Sequence, residues 1–199
     1  MKNMMFTRGI VLAGLALGLI TTPGLIAQEE KKEEKPKPQS VFKDKALEEG
    51  VRKFVFAKRY NKEPLVEGDL IHLSTIKVTN AGIKDLSGLE KCRALASLDL
   101  SGNEITDFSA IKDLKRIQYL NLAKNKIEDI SPIAGLTALQ YIELSNNRVK
   151  DLKPLEKLSN MRSLYLSNNR ISDFSPALKP VSYTHLRAHE TSLHLVCRL

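Results

Sequence analysis

The sequence repeats itself every 22 residues, and this period constrains the fold more than any other feature. Clear copies begin at Leu95, Ile117, Leu139 and Met161, and a degraded copy begins at Leu73. Successive copies follow one another without insertions. A period of this length indicates a solenoid, in which each repeat buries its apolar face only by packing on its neighbours.

The apolar positions of each copy indicate short strands joined by tight turns. In the first clear copy, Leu98 and Leu100 alternate with polar residues, as in a strand with one buried face. Ile105 and Phe108 fill the middle of the coil, and Leu114 fills its back. The connections between strands are short and contain Pro, as in SPIAGL, which favours single 3₁₀ turns on the convex side.

The ninth position of the repeat is Asn in four consecutive copies: Asn103, Asn125, Asn147 and Asn169. An amide buried without partners costs about 1 to 3 kcal/mol. Each carboxamide can donate to and accept from the backbone where the chain leaves its strand. We therefore expect a structural Asn ladder along the solenoid.

The spacing LxxLxLxxNxIxDxxxLxxL, from about Leu73 to Leu178, resembles that of the internalin-type bacterial leucine-rich repeats. The resemblance implies an α/β fold, a right-handed leucine-rich-repeat solenoid. Its short parallel strands would line the concave face, and 3₁₀ or short helices would line the convex face. It also implies a non-enzymatic binding surface, because family members mainly bind very different partners.

Residues 41–72 precede the repeats and are expected to form a helical N-terminal cap. Leu47, Val51 and Val55 follow a helical spacing between Val41 and Asn61, and a second short helical piece follows. A separate functional domain is the alternative, but about 30 residues is little for an independent core.

Residues 1–27 have the layout of a secretory signal peptide. Lys2 and Arg8 precede an apolar run from Gly9 to Ile20. We expect cleavage after Ala27, with cleavage after Gly24 or retention as a membrane anchor as alternatives. The pattern predicts export, so that the protein is secreted or held in the cell envelope.

Residues 28–40 are rich in charge and Pro and are expected to form a disordered linker. Residues 28–180 contain 27 basic and 22 acidic residues, a net charge of +5. A modest and interspersed charge of this kind favours solubility over nucleic-acid binding. Cys92 is the single Cys of this stretch, so it contains no disulfide framework.

Residues 181–199 abandon the repeat pattern and hold three of the four His residues. His185, His189 and His194 would suggest a metal-binding segment. However, the segment resembles the translated sequence of a transposase-type sequencing adapter. We therefore expect residues 181–199 to be an artefact rather than a domain, and the repeat region 73–180 to be truncated.

Catalysis receives little support from the sequence. His72 precedes the first repeat, where a surface or packing role is expected. An Asp recurs at the thirteenth position, where it suits capping of the following turn better than metal binding. Gly-rich phosphate loops, Ser/His/Asp sets and Cys/His clusters are absent from the sequence. We expect no enzyme activity, no cofactor and no metal.

The residues at the outward positions of successive strands differ from copy to copy, whereas the apolar positions stay the same. This variation indicates a binding face. Because neighbouring strands lie about 4.8 Å apart, three Tyr residues should gather there beside acidic and amide side chains. Tyr also favours strands for packing alone. The predicted ligand-binding residues are Tyr119, Tyr141, Tyr165, Asp99, Asn121 and Glu143.

The sequence therefore predicts a non-catalytic, secreted or surface recognition scaffold that binds a protein or peptide through its concave face. The alternative is the N-terminal scaffold of a larger cell-surface adhesin or enzyme. Nucleic acid is not an expected partner, because Asp99 and Glu143 oppose Lys77 on this face. Membrane contact is expected only if the signal is retained as an anchor.

Overall fold

The computed structural model describes residues 39–178, 186–189 and 194–198. The predicted signal peptide, residues 28–38 of the predicted linker and the rest of the tail lie outside the described residues. Within the described part, no helix is both long enough and apolar enough to cross a bilayer.

One parallel sheet runs through the repeats, with one three-residue strand from each copy. Successive strands pair in register at an offset of one repeat, so that Ile76 lies beside Leu98 and Leu98 beside Leu120. The strands are β1 Thr75–Lys77, β2 Ser97–Asp99, β3 Tyr119–Asn121, β4 Tyr141–Glu143 and β5 Ser163–Tyr165.

The core lies between this sheet and a row of short turns on the opposite side of the coil. The central residue of every strand is buried, as are the apolar residues at the sixth and eleventh positions. Single 3₁₀ turns follow at Leu89–Lys91, Ser109–Ile111, Ser131–Gly135 and Lys153–Lys157, and the helix α3 spans Ser175–Leu178. The predicted leucine-rich-repeat solenoid, with strands on one face and short helices on the other, is confirmed.

The N-terminal segment contains two short helices, α1 Lys45–Arg52 and α2 Glu67–Leu70, and a 3₁₀ turn at Phe56–Lys58. The helical spacing from Val41 to Asn61 overstates the length of α1. The helix begins after Asp44, whose Oδ1 accepts hydrogen bonds from Ala46 N and Leu47 N.

The helix α1 ends at Arg52, and the chain leaves it through bonds of the 3₁₀ type, from Phe54 N to Val51 O and from Val55 N to Arg52 O. The Arg52 guanidinium donates to Asn61 O at 3.2 Å and to Glu63 O at 2.6 Å. These contacts hold the returning chain against the helix.

The N-terminal segment lies against the first repeat. Gly50 of α1 packs on Val78 so closely that a Cβ atom would overlap its side chain. Asp44 Oδ2 accepts from Lys84 N and Asp85 N, which ties the start of α1 to the first repeat. The apolar end of that repeat is therefore covered, as a cap requires.

Two further strands lie in the tail, β6 Leu186–His189 and β7 His194–Arg198. The backbone of β7 pairs with β5 in the antiparallel sense, with Cys197 beside Leu164, and β6 pairs with β7. Backbone pairing carries no information on where the tail sequence came from, so its resemblance to an adapter stays a prediction.

Candidate binding surface

The three predicted Tyr residues of the strands meet on the sheet face, and we call them the tyrosine patch: Tyr119, Tyr141 and Tyr165. The rings of Tyr119 and Tyr141 stack with centroids 4.5 Å apart and planes inclined by 10°. The Tyr165 ring lies 5.3 Å from that of Tyr141 and is tilted by 44°.

The register of the strands explains why the third ring tilts. Tyr119 and Tyr141 are direct neighbours across β3 and β4. Tyr165 lies beside Glu143 instead, one outward position further along its strand. Its ring reaches Tyr141 diagonally, so the patch is a stacked pair with a tilted third ring.

The patch is half-buried, and this changes the acidity of its central residue. Burial raises the pKa of the Tyr141 phenol, and the neighbouring Tyr119 and Glu143 raise it further. The hydroxyl therefore keeps its proton further into the alkaline range than an exposed Tyr does. It can donate a hydrogen bond while the ring supplies apolar contact area.

Polar side chains beside the patch are held by the turns that follow their own strands. Asp99 Oδ1 accepts from Ser101 N at 3.1 Å and Ser101 Oγ at 2.8 Å. Asn121 Oδ1 accepts from Ala123 N at 3.1 Å, and Glu143 Oε1 accepts from Ser145 N at 2.8 Å. Because each oxygen is fixed in this way, the acceptor groups are preorganised rather than mobile.

A shallow groove of about 350 Å³ lies where the strands end. Asn121 and Glu143 line it together with Lys124. Of the six predicted site residues, three form the tyrosine patch, and two, Asn121 and Glu143, line the adjoining groove. Asp99 lies on the strand before the patch, where its Oδ2 is 3.8 Å from Lys77 Nζ.

Lys124 is a groove residue that the sequence reasoning missed. Its φ is +55°, in the left-handed region that Gly and Asn tolerate better than other residues. The signal was present in the sequence, because the eighth position elsewhere in the repeats is Asn or Gly. Those residues are Asn80, Gly102, Asn146 and Asn168, all with positive φ.

The Asn ladder makes the hydrogen bonds that its structural role requires. Asn103 Nδ2 donates to Val78 O and Leu100 O, both at 2.8 Å, and its Oδ1 accepts from Ile83 N at 3.2 Å. The same links to the preceding repeat recur at Asn125, Asn147 and Asn169. These side chains join adjacent repeats through their bonds to the backbone.

The recurring Asp residues cap the turns that follow them. Asp107 Oδ1 accepts from Ser109 N at 2.8 Å. The corresponding bond is present at Asp85, Asp129, Asp151 and Asp173. In the described part of the chain, no group of three or more His, Cys, Asp or Glu side chains could hold a metal. His72 is exposed just after α2, and the side chains of the tail His residues lie outside the described residues.

Two family models match the repeat region. A leucine-rich-repeat model matches residues 93–149, and a model of two copies of the repeat matches residues 137–180. The sequence has no match among curated proteins.

Solved structures share the fold. An internalin (inlF) from Listeria monocytogenes is 23% identical with a TM-score of 0.59, over 70% of this chain and 48% of its own. A leucine-rich-repeat protein from Leptospira interrogans is 32% identical with a TM-score of 0.50, over 57% of this chain and 31% of its own. This chain therefore spans about half of the first structure and about a third of the second.

The repeat spacing, the family models and the shared fold agree with one another. Solenoids of this kind act as interaction scaffolds, because their curvature creates an extended concave surface. The chain has the leucine-rich-repeat fold, and its repeats match two leucine-rich-repeat family models.

Proposed function

We propose that this protein is a non-catalytic recognition scaffold that binds a protein or peptide through its concave repeat face. The observation that carries the proposal is the tyrosine patch, in which three rings from consecutive strands form one continuous aromatic surface. Tyr is enriched at interfaces, because it combines a large rigid ring with a hydroxyl that can form hydrogen bonds.

The charge of the face suggests the chemistry of the partner. Asp99 and Glu143 flank the patch, and Lys77 is the one cation at the outward positions of β1 to β5. The carboxylates favour a partner with basic side chains, and the rings favour aliphatic stems or guanidinium planes packed against them.

Secretion or surface location is the second part of the proposal. It rests on the signal pattern of residues 1–27, which lie outside the described residues. If the signal is cleaved as expected after Ala27, mass spectrometry of protein exported by a bacterial host should find a mature chain beginning at Gln28. A chain found only in the cytoplasm would contradict export.

A second candidate function is the scaffold part of a larger surface adhesin or enzyme. It is favoured by the comparison with solved structures, of which this chain spans 48% and 31%. The sequence of the complete gene would separate the candidates. A stop codon soon after one or two more repeats favours the first, and a long further domain favours the second.

A peptide library displayed on phage and panned on the full chain tests the binding face. Enriched peptides should bind the wild-type chain but lose at least tenfold in affinity when Tyr119, Tyr141 and Tyr165 are all replaced by Ala. In the matched control, Phe56 and Tyr60 are replaced by Ala. Both are exposed aromatic residues of the N-terminal segment, and this variant should bind as the wild type does. Undiminished binding by the triple variant, with its circular dichroism unchanged, would place the site elsewhere.

A further inference from the structure

A strip of basic side chains runs along one flank of the solenoid, beyond the concave face. It occupies the eighth, tenth and twelfth positions of the last three repeats, and we call it the basic strip. Its members are Lys124, Lys126, Arg148, Lys150 and Arg170.

The backbone places the tenth positions directly above one another. Arg148 N donates to Ile127 O at 2.8 Å, and Arg170 N donates to Val149 O at 2.9 Å. Lys126 N makes the same bond to the repeat before it. Cations at this position are therefore one repeat apart, about 5 Å along the stack.

The acidic residues of this flank neutralise the cations of the earlier repeats more completely than those of the last three repeats. Glu104 lies 3.9 Å from Lys84 and 2.8 Å from Lys126, so this one carboxylate is shared between an earlier repeat and the start of the strip. In the last three repeats Glu128 is the single acidic residue at these positions, 3.9 Å from Arg148 and 4.0 Å from Lys150. Glu104 and Glu128 together offset two of the five cations, which leaves a local charge of +3.

The side chains of the basic strip are available to a ligand. Those of Lys126, Arg148 and Lys150 are 46%, 48% and 62% exposed. Among the residues that the structure describes, no carboxylate forms an ion pair with Lys124 or Arg170.

The fold does not require these charges. Glu104 and Thr106 occupy the tenth and twelfth positions of an earlier repeat, and Glu104 N makes the same bond, to Ile83 O at 2.9 Å. Like charges on adjacent repeats repel one another, so the strip opposes folding unless a counter-charge binds to it.

We propose that the basic strip binds a flexible linear polyanion that carries sulfate or phosphate groups. Arg and Lys bind such groups through charge-assisted hydrogen bonds, and cations in a line match anions along a chain. Lys124 also lines the groove beside the tyrosine patch, but the other four members of the strip lie outside that groove. The charges that flank the patch itself are mainly acidic. The ligand of the strip is therefore distinct from the protein or peptide proposed for the concave face.

The shape of the strip selects a single flexible chain over a flat or rigid surface. The tenth-position cations lie about 5 Å apart from one repeat to the next, a spacing that consecutive anionic groups of one flexible chain can match. A membrane or a duplex spreads its charges over a wider area and would use fewer of these contacts. Both alternatives are outcomes of the experiment below.

The test compares two triple variants of the full chain with equal changes in net charge. The first carries Arg148→Gln, Lys150→Gln and Arg170→Gln. The control carries Lys112→Gln, Lys115→Gln and Arg116→Gln, which are exposed residues after the 3₁₀ turn Ser109–Ile111. Circular dichroism verifies that both variants are folded.

Binding to fluorescent heparin and to inorganic polyphosphate is measured by anisotropy between 50 and 300 mM NaCl. We expect the strip variant to bind at least tenfold more weakly at 150 mM salt and to show a shallower dependence on salt, since fewer counterions are released. The control should change by less than about threefold. Heparin binding alone assigns the site to sulfated chains, and polyphosphate binding alone assigns it to phosphorylated chains.

Equal losses in the two variants would overturn the proposal, because net charge rather than the strip would then carry the binding. Binding only to duplex DNA or to phosphatidylglycerol vesicles, with no binding to either flexible polyanion, would overturn it as well.

Discussion

The ring of Tyr141 stacks on that of Tyr119, with centroids 4.5 Å apart and planes inclined by only 10°. The two residues are 22 positions apart in the sequence and become neighbours because β3 and β4 pair in register. Stacking buries much of both rings and leaves an aromatic surface with little freedom to rearrange.

The raised pKa of Tyr141 predicts that the folded protein loses stability at alkaline pH. Burial and its neighbours raise the pKa of this phenol in the folded chain above the ordinary value of 10.0. Its contribution to stability is therefore complete below about pH 10 and is lost as the pH rises towards the folded pKa. In Tyr141→Phe this loss should be smaller, as measured by urea unfolding at several pH values between 8 and 11.

Tyr60→Phe provides the control for Tyr141→Phe, because Tyr60 is 92% exposed. It should lose stability above pH 10 as the wild type does. Identical pH profiles for Tyr141→Phe and the wild type would contradict the prediction.

The hydrogen bonds of Asn125 predict that replacing this one side chain strongly destabilises the protein. Its Nδ2 donates to Leu100 O and Leu122 O, and its Oδ1 accepts from Ile105 N. Asn125→Ala leaves these buried groups without a partner, which should lower the free energy of unfolding by about 2 to 3 kcal/mol. Asn160→Ala removes one exposed bond, to Thr137 O, and should cost less than about 1 kcal/mol. Equal losses in urea unfolding would refute a structural role for the ladder.

The two glycines of the N-terminal helices should respond to Ala in opposite directions. Gly50→Ala places a Cβ atom against Val78, so it should destabilise the contact between α1 and the first repeat by about 1 to 3 kcal/mol. At Gly68 a Cβ atom meets nothing within 4 Å, so Gly68→Ala should stabilise by up to about 1 kcal/mol. Thermal unfolding measures both changes, and a neutral Gly50→Ala would show that α1 is not packed as described.

Lys124→Asn should stabilise the protein. The φ of Lys124 is +55°, and Asn80, Asn146 and Asn168 adopt nearly the same angle at the equivalent position. Because Asn tolerates this region better than Lys, we expect a gain of about 0.5 to 1 kcal/mol in the free energy of unfolding. Lys126→Asn, at an exposed position nearby, should give no such gain. A gain of equal size in both variants would attribute the effect to charge rather than to the backbone.

The repeated parts of the fold could be predicted because every copy of the repeat has the same pattern of apolar positions. Leu98, Leu120 and Ile142 occupy one position of the period, and they lie side by side in the core. The N-terminal segment was harder, because it occurs once. Helical spacing alone could not show that α1 ends at Arg52 or that the Arg52 side chain holds the returning chain.

The candidate site could be predicted in part. That Tyr119, Tyr141 and Tyr165 share a face follows from the alternation of each strand, and the structure brings their rings together. The groove residue Lys124 was missed, because the alternation of the strands says nothing about the eighth position. Only a comparison with the Asn or Gly of the other repeats at this position points to it. Whether a ligand occupies this face stays a prediction.

The sequence by itself determined the solenoid, its repeat length, the inward residues and the Asn ladder, because hydrophobic burial and amide satisfaction leave few other arrangements for a 22-residue period. Only the tertiary structure decided how side chains from different repeats meet. The tilt of Tyr165 depends on strand register, and the clustering of Lys126, Arg148 and Arg170 depends on stacking. Charges that are interspersed along the chain become a continuous strip, because stacking brings together residues that are 22 positions apart in the sequence.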